Sequence, residues 1–217
     1  MTFVDILLTL LRGAGYTLLI TLSCGATALL VGLGIAVARE IGGPWLSAAL
    51  SVLVYVLRGV PMLVLLFVVF FGLPGIGIDV PPLVAMMLSL GLISGAYLSE
   101  VFRGALAAVN PSEVLAAESM GFTRFETLRL IKLPQMLRFS VPGMVNELTT
   151  VLKYSPFAYT VGIPEITKQA MALAATTMRG LEIYAAIGLI YFAIYRLLLA
   201  AVRLTEKRFS IPGFAQE

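Results

Sequence analysis

Residues 14–38 read AGYTLLITLSCGATALLVGLGIAVA and contain no Asp, Glu, Lys or Arg. A helix needs about 20 apolar residues to cross about 30 Å of hydrocarbon, so this run is long enough to span a bilayer. Gly25, Ala26, Ala28, Gly32, Gly34, Ala36 and Ala38 would let neighbouring helices approach closely, which predicts a bundle rather than a lone anchor. Four further stretches have the length to span: Leu46–Gly72, Pro82–Phe102, Phe139–Gly162 and Ile183–Leu204. The fourth is the least clean, with Glu147 and Lys153 inside it. The expected fold is therefore all-α and polytopic, with five transmembrane helices in one domain over residues 1–217.

Composition agrees. The 217 residues are 59% hydrophobic and 12% charged, with mean hydropathy +0.99. A soluble domain runs near 45–50% apolar and about 25% charged, so the excess here needs lipid as solvent. Cys24 is the single cysteine and histidine is absent. An intrachain disulfide, a thiol metal cluster and the commonest general base are thereby excluded, so an enzyme is not expected. The N-terminus does not read as a secretory signal, because Asp5 precedes the first Arg. Phe3, Ile6, Leu7, Leu10 and Leu11 recur at helical spacing, which suits either a short interfacial helix or the start of the first span.

The loops orient the spans. Gly72–Pro81 carries no Lys or Arg, whereas Arg103–Arg138 carries Arg103, Arg124, Arg129, Lys132 and Arg138, and the tail carries Arg203, Lys207 and Arg208. Basic loops stay in the cytoplasm, so the long loop and C-terminus are expected inside and the N-terminus outside.

Within the basic loop, about residues 104–138, Asn110-Pro111-Ser112-Glu113 reads as a helix start: a cap, a proline at the first helical position and a Glu able to reach back. Gly121 would close that helix in the left-handed conformation. Thr123-Arg124-Phe125-Glu126 offers a second capping box, opening a helix with Phe125, Leu128 and Ile131 on one face and Pro134 as its stop. The loop is thus two short helices joined by a tight elbow.

Leu115-Ala116-Ala117-Glu118-Ser119-Met120-Gly121, then nine residues, then Ile131-Lys132-Leu133-Pro134, resembles the EAA-loop signature of ATP-binding-cassette (ABC) importer permeases. Leu115 stands where the signature has Glu, and Glu113 or Glu118 could supply the lost polar contact from a neighbouring turn. Tyr55–Leu63, Gly95–Gly104 and Pro134-Gln135 with Pro142 and Asn146 are similar to segments of the polar-amino-acid (histidine/glutamine/arginine-type) permeases. Lys153-Tyr154-Ser155-Pro156 departs from that family's K-D-[TS]-S. The resemblance implies a type I importer permease in the cell (inner) membrane, with a cytoplasmic coupling helix that docks on an ATPase. It further implies two ATP-binding-cassette subunits holding ATP and Mg, a second permease chain (identical or not), and an extracellular or periplasmic amino-acid-binding protein. No cofactor is expected in this chain, which lacks a G-x-x-x-x-G-K-[ST] loop, and no nucleic-acid partner. The ATPase-coupling residues would be Glu113, Leu115, Ala116, Ala117, Glu118, Gly121, Ile131, Leu133 and Pro134. The rival reading is an ATPase-independent secondary transporter or channel.

Ionisable groups in apolar spans are the remaining signal. Each costs roughly 2.5–3.5 kcal/mol at mid-bilayer even on a lenient scale and should face protein or water. Arg58 and Glu100 could pair across a helix interface. Glu147 and Lys153 are about 600° apart on one helix and cannot neutralise each other there. Pro156 removes a donor and clashes with the carbonyl of Leu152, and broken helices at this depth are buried or line cavities. Arg58, Glu100, Glu147, Lys153, Tyr154, Ser155 and Pro156 are therefore the expected substrate path, with Lys153 near a carboxylate and Glu147 or Glu100 near an ammonium.

Overall fold

The structure, a computed structural model, describes residues 2–209, with side chains to Val202. All described regular structure is helical. The helices are α1 (Phe3–Leu11), α2 (Ala14–Ile41), α3 (Pro44–Gly59), α4 (Met62–Ile76), α5 (Pro82–Ala107), α6 (Pro111–Ser119), α7 (residues 124–139), α8 (Val141–Tyr154), α9 (Ile166–Thr177) and α10 (Gly180–Phe209). The basic side chains Arg203, Lys207 and Arg208, which helped orient the C-terminus, lie outside the described residues.

Among the described residues, α2, α5 and α10 are long and apolar enough to cross a membrane, and α3 with α4 makes a fourth candidate bent by 99°. The expected continuous span Leu46–Gly72 is thus broken. Pro61 lacks an N–H and pushes its predecessor away from helical geometry, and Val60 is extended at φ −88, ψ 127. The expected fourth span also divides. Its α-helical part, α8, has 14 residues, which rise about 21 Å and fall short of the hydrocarbon thickness. Ser155–Val161 continues as a 3-10 turn because Pro156 cannot donate to Leu152. The Ser155 hydroxyl donates to that carbonyl instead, at 2.8 Å.

The first span behaves as its small residues predict. Gly25, Ala28, Gly32 and Ala36 are buried on one face of α2, whereas Ala26 and Gly34 face outward. A Cβ on Gly32 would lie 2.8 Å from the Leu98 Cβ, so only glycine permits this approach of α2 to α5. Around that seam, Ile20 and Cys24 of α2 pack with Leu66 of α4, Met86 and Leu90 of α5 and Val151 of α8. Ala28 and Ala36 pack with Leu98, Phe102 and Met136, which ties the basic loop to the bundle.

The N-terminal stripe is a separate helix, opened by a reciprocal Thr2–Asp5 cap. Ile6 and Leu10 are buried against Ile166, Ala170, Ile183 and Ala186, while Phe3 and Leu11 face outward. The α1–α2 junction rests on the start of α9, where the fully buried Glu165 caps the helix. Its carboxylate accepts from the backbone N–H of Thr167 at 2.7 Å, that of Lys168 at 2.8 Å, and the Tyr191 hydroxyl at 2.9 Å. Gly13 touches this cap backbone to backbone: a Cβ there would sit 2.6 Å from the Ile166 nitrogen and 2.7 Å from the Glu165 carbonyl carbon. Backbone cannot swing aside as a side chain can. Gly13→Ala should therefore destabilise by roughly 1–3 kcal/mol, the usual range for overpacking. Gly15→Ala, with nothing within 4 Å of the new atom, should be neutral or stabilising. Thermal unfolding of the two variants in detergent checks the contrast; equal midpoints would contradict it.

Candidate functional site: a basic-loop elbow and a polar cavity

The elbow forms as its sequence demands. Asn110 accepts from the Ser112 N–H at 2.9 Å. Gly121 has φ +86, and the Phe122 N–H reaches back to the Ala117 carbonyl at 3.1 Å while the Gly121 N–H reaches Glu118 at 3.0 Å. These bonds close the α6 carbonyls in a Schellman turn. Thr123 and Glu126 then cap α7 reciprocally. The two Thr123 donors, backbone first and hydroxyl second, hold the Glu126 carboxyl below the ordinary carboxylate range.

Two expectations change. Glu113 does not reach back to its own cap; its carboxylate accepts from the Gln135 side chain at 2.5 Å, bracing α6 against α7. Pro134 does not stop the second helix. Residues 128–132 form a π-turn, and Pro134 enters the next α-helical stretch at its start, where a missing donor does little harm. The presumed apolar face also splits: Leu128 is buried and Phe125 is exposed.

The motif residues on either side of the nine-residue gap meet. Ala116, Ala117, Ile131 and Pro134 line one open cavity of about 420 Å³ with Glu113 and Gln135. Leu133 instead packs on the Leu98–Phe102–Met136 core and anchors the elbow. Leu115, Met120, Phe125 and Leu130 are exposed, and Glu118 is exposed too. Lys132 ties the elbow to the end of α2 through Glu40, at 2.6 Å.

A second cavity, about 490 Å³, opens where α3 breaks. Its polar lining is Arg58, Ser94, Tyr97, Asn146, Glu147, Thr150 and Tyr154. Arg58 sits at the C-terminus of α3, where helix carbonyls favour a cation. Its guanidinium lies 4.8 Å from the Tyr97 ring centroid, and the Tyr97 hydroxyl donates to the Arg58 carbonyl at 3.5 Å. Asn146, Glu147, Thr150 and Tyr154 come from one face of α8, at i, i+1, i+4 and i+8.

Of the expected path, Arg58, Glu147 and Tyr154 share this cavity. Glu100 does not pair with Arg58; it is held by Arg39 at 2.6 Å and Arg103 at 2.9 Å. Lys153 turns to the other side of α8, with its Nζ 5.8 Å from the Tyr195 ring centroid. Ser155 is buried and satisfied by Leu152, so the break at Pro156 does not leave that carbonyl bare. Neither Ser155 nor Pro156 lines the cavity. Ser94, Tyr97, Asn146 and Thr150 were not among the expected path residues, although Thr150 lies at helical spacing from Glu147 and could have been found by that rule.

Long apolar helices, one of them bent, with a polar cavity at the bend and a helical elbow suit a membrane transport component. The chain belongs to the family described as binding-protein-dependent transport system inner membrane component, whose model matches residues 29–211. It is thus a transport component and not an enzyme. It is 32% identical over 200 residues to the probable amino-acid ABC transporter permease protein YckA of Bacillus subtilis, covering 92% of this chain and 88% of that one. It is 32% identical over 218 residues to the histidine/lysine/arginine/ornithine transport system permease protein HisQ of Escherichia coli, covering 93% of each. A crystal structure of an amino acid ABC transporter with histidines superposes with TM-score 0.85 at 29% identity, over 96% of this chain and 99% of that one.

At Gly121 a new side chain would meet nothing within 4 Å, so any effect of substitution comes from the backbone. Gly121→Val should cost roughly 1 kcal/mol or more through its left-handed φ and lower transport while leaving membrane insertion intact. Gly121→Asn, which tolerates that φ, should retain most transport. Uptake into membrane vesicles normalised to inserted protein measures both; full uptake by Gly121→Val would contradict the role of the elbow.

Proposed function

We propose that this chain is the permease subunit of an ABC importer for a polar amino acid, acting as one domain over residues 1–217. The observation that carries the reading is the cavity at the α3 break, which offers Arg58 to a carboxylate and Glu147 to an ammonium. A guanidinium matches a carboxylate in two parallel hydrogen bonds, and Tyr97 steadies it from the ring face. Asn146, Thr150 and Tyr154 add neutral hydrogen-bonding groups for a polar side chain. The relatives' names, which are those of amino-acid permeases, support the same class.

Energy enters through the elbow. Ala116, Ala117, Ile131 and Pro134 surround a concave surface, and exposed Leu115, Met120, Phe125 and Leu130 invite a protein partner. That partner is one of two ATPase subunits, which bind ATP and Mg; a second permease chain and an external binding protein complete the complex. The lysine and arginine distribution supports a cytoplasmic elbow, an outside N-terminus and a cytoplasmic C-terminus. An ATPase-independent transporter or channel would give this apolar elbow nothing to dock. The transport cycle is a two-state switch, in which substrate acts through unequal affinity for outward- and inward-open forms.

Glu147→Gln and Arg58→Gln should each assemble with the partners, keep basal ATP hydrolysis and lower uptake about ten-fold or more, the worth of one charge-assisted hydrogen bond. Lys153→Met, on the far side of α8, should keep uptake. Radiolabelled amino-acid uptake in proteoliposomes measures this. Unchanged uptake in both cavity variants, or its loss in Lys153→Met alone, would overturn the assignment.

A further inference from the structure

The Arg39–Glu100–Arg103 network belongs neither to the substrate cavity nor to the elbow. It borders a third cavity, about 400 Å³, between the ends of α2 and α5, the start of α3 and the middle of α7. Arg39, Arg103 and Lys132 line it, with the hydroxyls of Ser47 and Ser51 and the carboxylate of Glu40. Arg39 is spent on Glu100 and Ser51, and Lys132 on Glu40. Arg103 is not: only its Nε is engaged, by Glu100, so among the described residues its terminal nitrogens donate to nothing. Its side chain is 59% exposed. Three cations against Glu40 and Glu100 leave one net positive charge.

The setting is interfacial. Directly after Glu40 come Ile41 and, across the Gly42–Gly43 turn, Trp45 and Leu46, all exposed, with Trp45 at 88%. Exposed tryptophan beside the end of a spanning helix marks the headgroup level. Apolar side chains adjoining a cationic cavity suit a molecule with a charged head and apolar tails, and basic pockets between spanning helices bind acidic lipid heads. One surplus positive charge matches one phosphodiester. A zwitterionic head would bring a fourth cation into a site that already holds three.

We propose that this cavity binds the phosphodiester of an anionic phospholipid from the leaflet on the elbow's side, with Arg103 as the principal ligand and Ser47 and Lys132 beside it. The leaflet rests on the proposed topology; the site itself does not. Because Lys132 and Glu40 join the elbow to α2, a bound lipid stiffens the link between the driven loop and the bundle.

The test uses the assembled transporter. Native mass spectrometry after extraction from membranes containing phosphatidylglycerol counts lipid retained, and thermal midpoints are compared in nanodiscs of phosphatidylcholine with and without phosphatidylglycerol. Wild type should retain phosphatidylglycerol and melt higher in its presence. Arg103→Gln should retain about ten-fold less, the loss of one charge-assisted contact, and lose the increment. Arg124→Gln, the same charge change on the loop outside this cavity, should keep both. If Arg103→Gln does not assemble, Lys132→Gln is read in its place, with the same expectation. Retention and increment unchanged in the cavity variant would overturn the site. A wild-type midpoint raised equally by inorganic phosphate in pure phosphatidylcholine would overturn the lipid assignment, since a soluble anion would then suffice.

Discussion

Backbone polar groups cannot be left unpaired in hydrocarbon, and this chain interrupts its helices at membrane depth regardless. Two of these interruptions are met by a particular side chain. At Pro156 the Ser155 hydroxyl takes the Leu152 carbonyl, so α8 passes into a 3-10 turn without exposing backbone. At Pro61 the end of α3 is met by Tyr97, whose hydroxyl reaches the Arg58 carbonyl and whose ring faces the Arg58 guanidinium. One break thus creates the cavity, supplies its cation and satisfies its own carbonyl. Irregular backbone of this kind is tolerated only against protein or a water-filled space.

The loop side obeys a different constraint. There water can satisfy the backbone, so rigidity has to come from caps and ties. Gly121 sets the turn, Thr123 and Glu126 lock the start of α7, and Glu113 with Gln135 holds the two helices together. Leu133 then seats the elbow in the core, and Lys132 links it to α2 by way of Glu40. A push on the exposed apolar side chains would reach the bundle through packed and ionic contacts rather than through a slack linker.

Much of this was legible in the sequence because it rests on local chemistry. The run from Ala14 to Ala38 became α2, the small residues at 25, 28, 32 and 36 became its buried face, and the Gly121 and Thr123 signals became the elbow. What escaped was long-range or hidden by uniform apolarity. Gly59-Val60-Pro61 carried a break signal, but apolar residues on both sides made the stretch read as one span. Glu100 was paired with the wrong arginine because one of its two partners, Arg39, comes from α2, 61 residues away; the other, Arg103, lies three residues on along the same helix. Lys153 was assigned to the path from its cost in lipid, yet cost says only that a charge needs a partner, and the Tyr195 ring of α10 is one. Glu165 gave no signal, since Glu is not a favoured cap residue; burial and Tyr191 make it one here.

Under the proposed function, transport through this chain requires a partner ATPase that drives the elbow. The most direct measurement is amino-acid accumulation in proteoliposomes holding the chain with or without the ATPase, the binding protein being supplied on the opposite side. Accumulation is expected only with the ATPase present and ATP on its side of the membrane, and none from an imposed ion gradient. Accumulation driven by the gradient in the chain alone would contradict it.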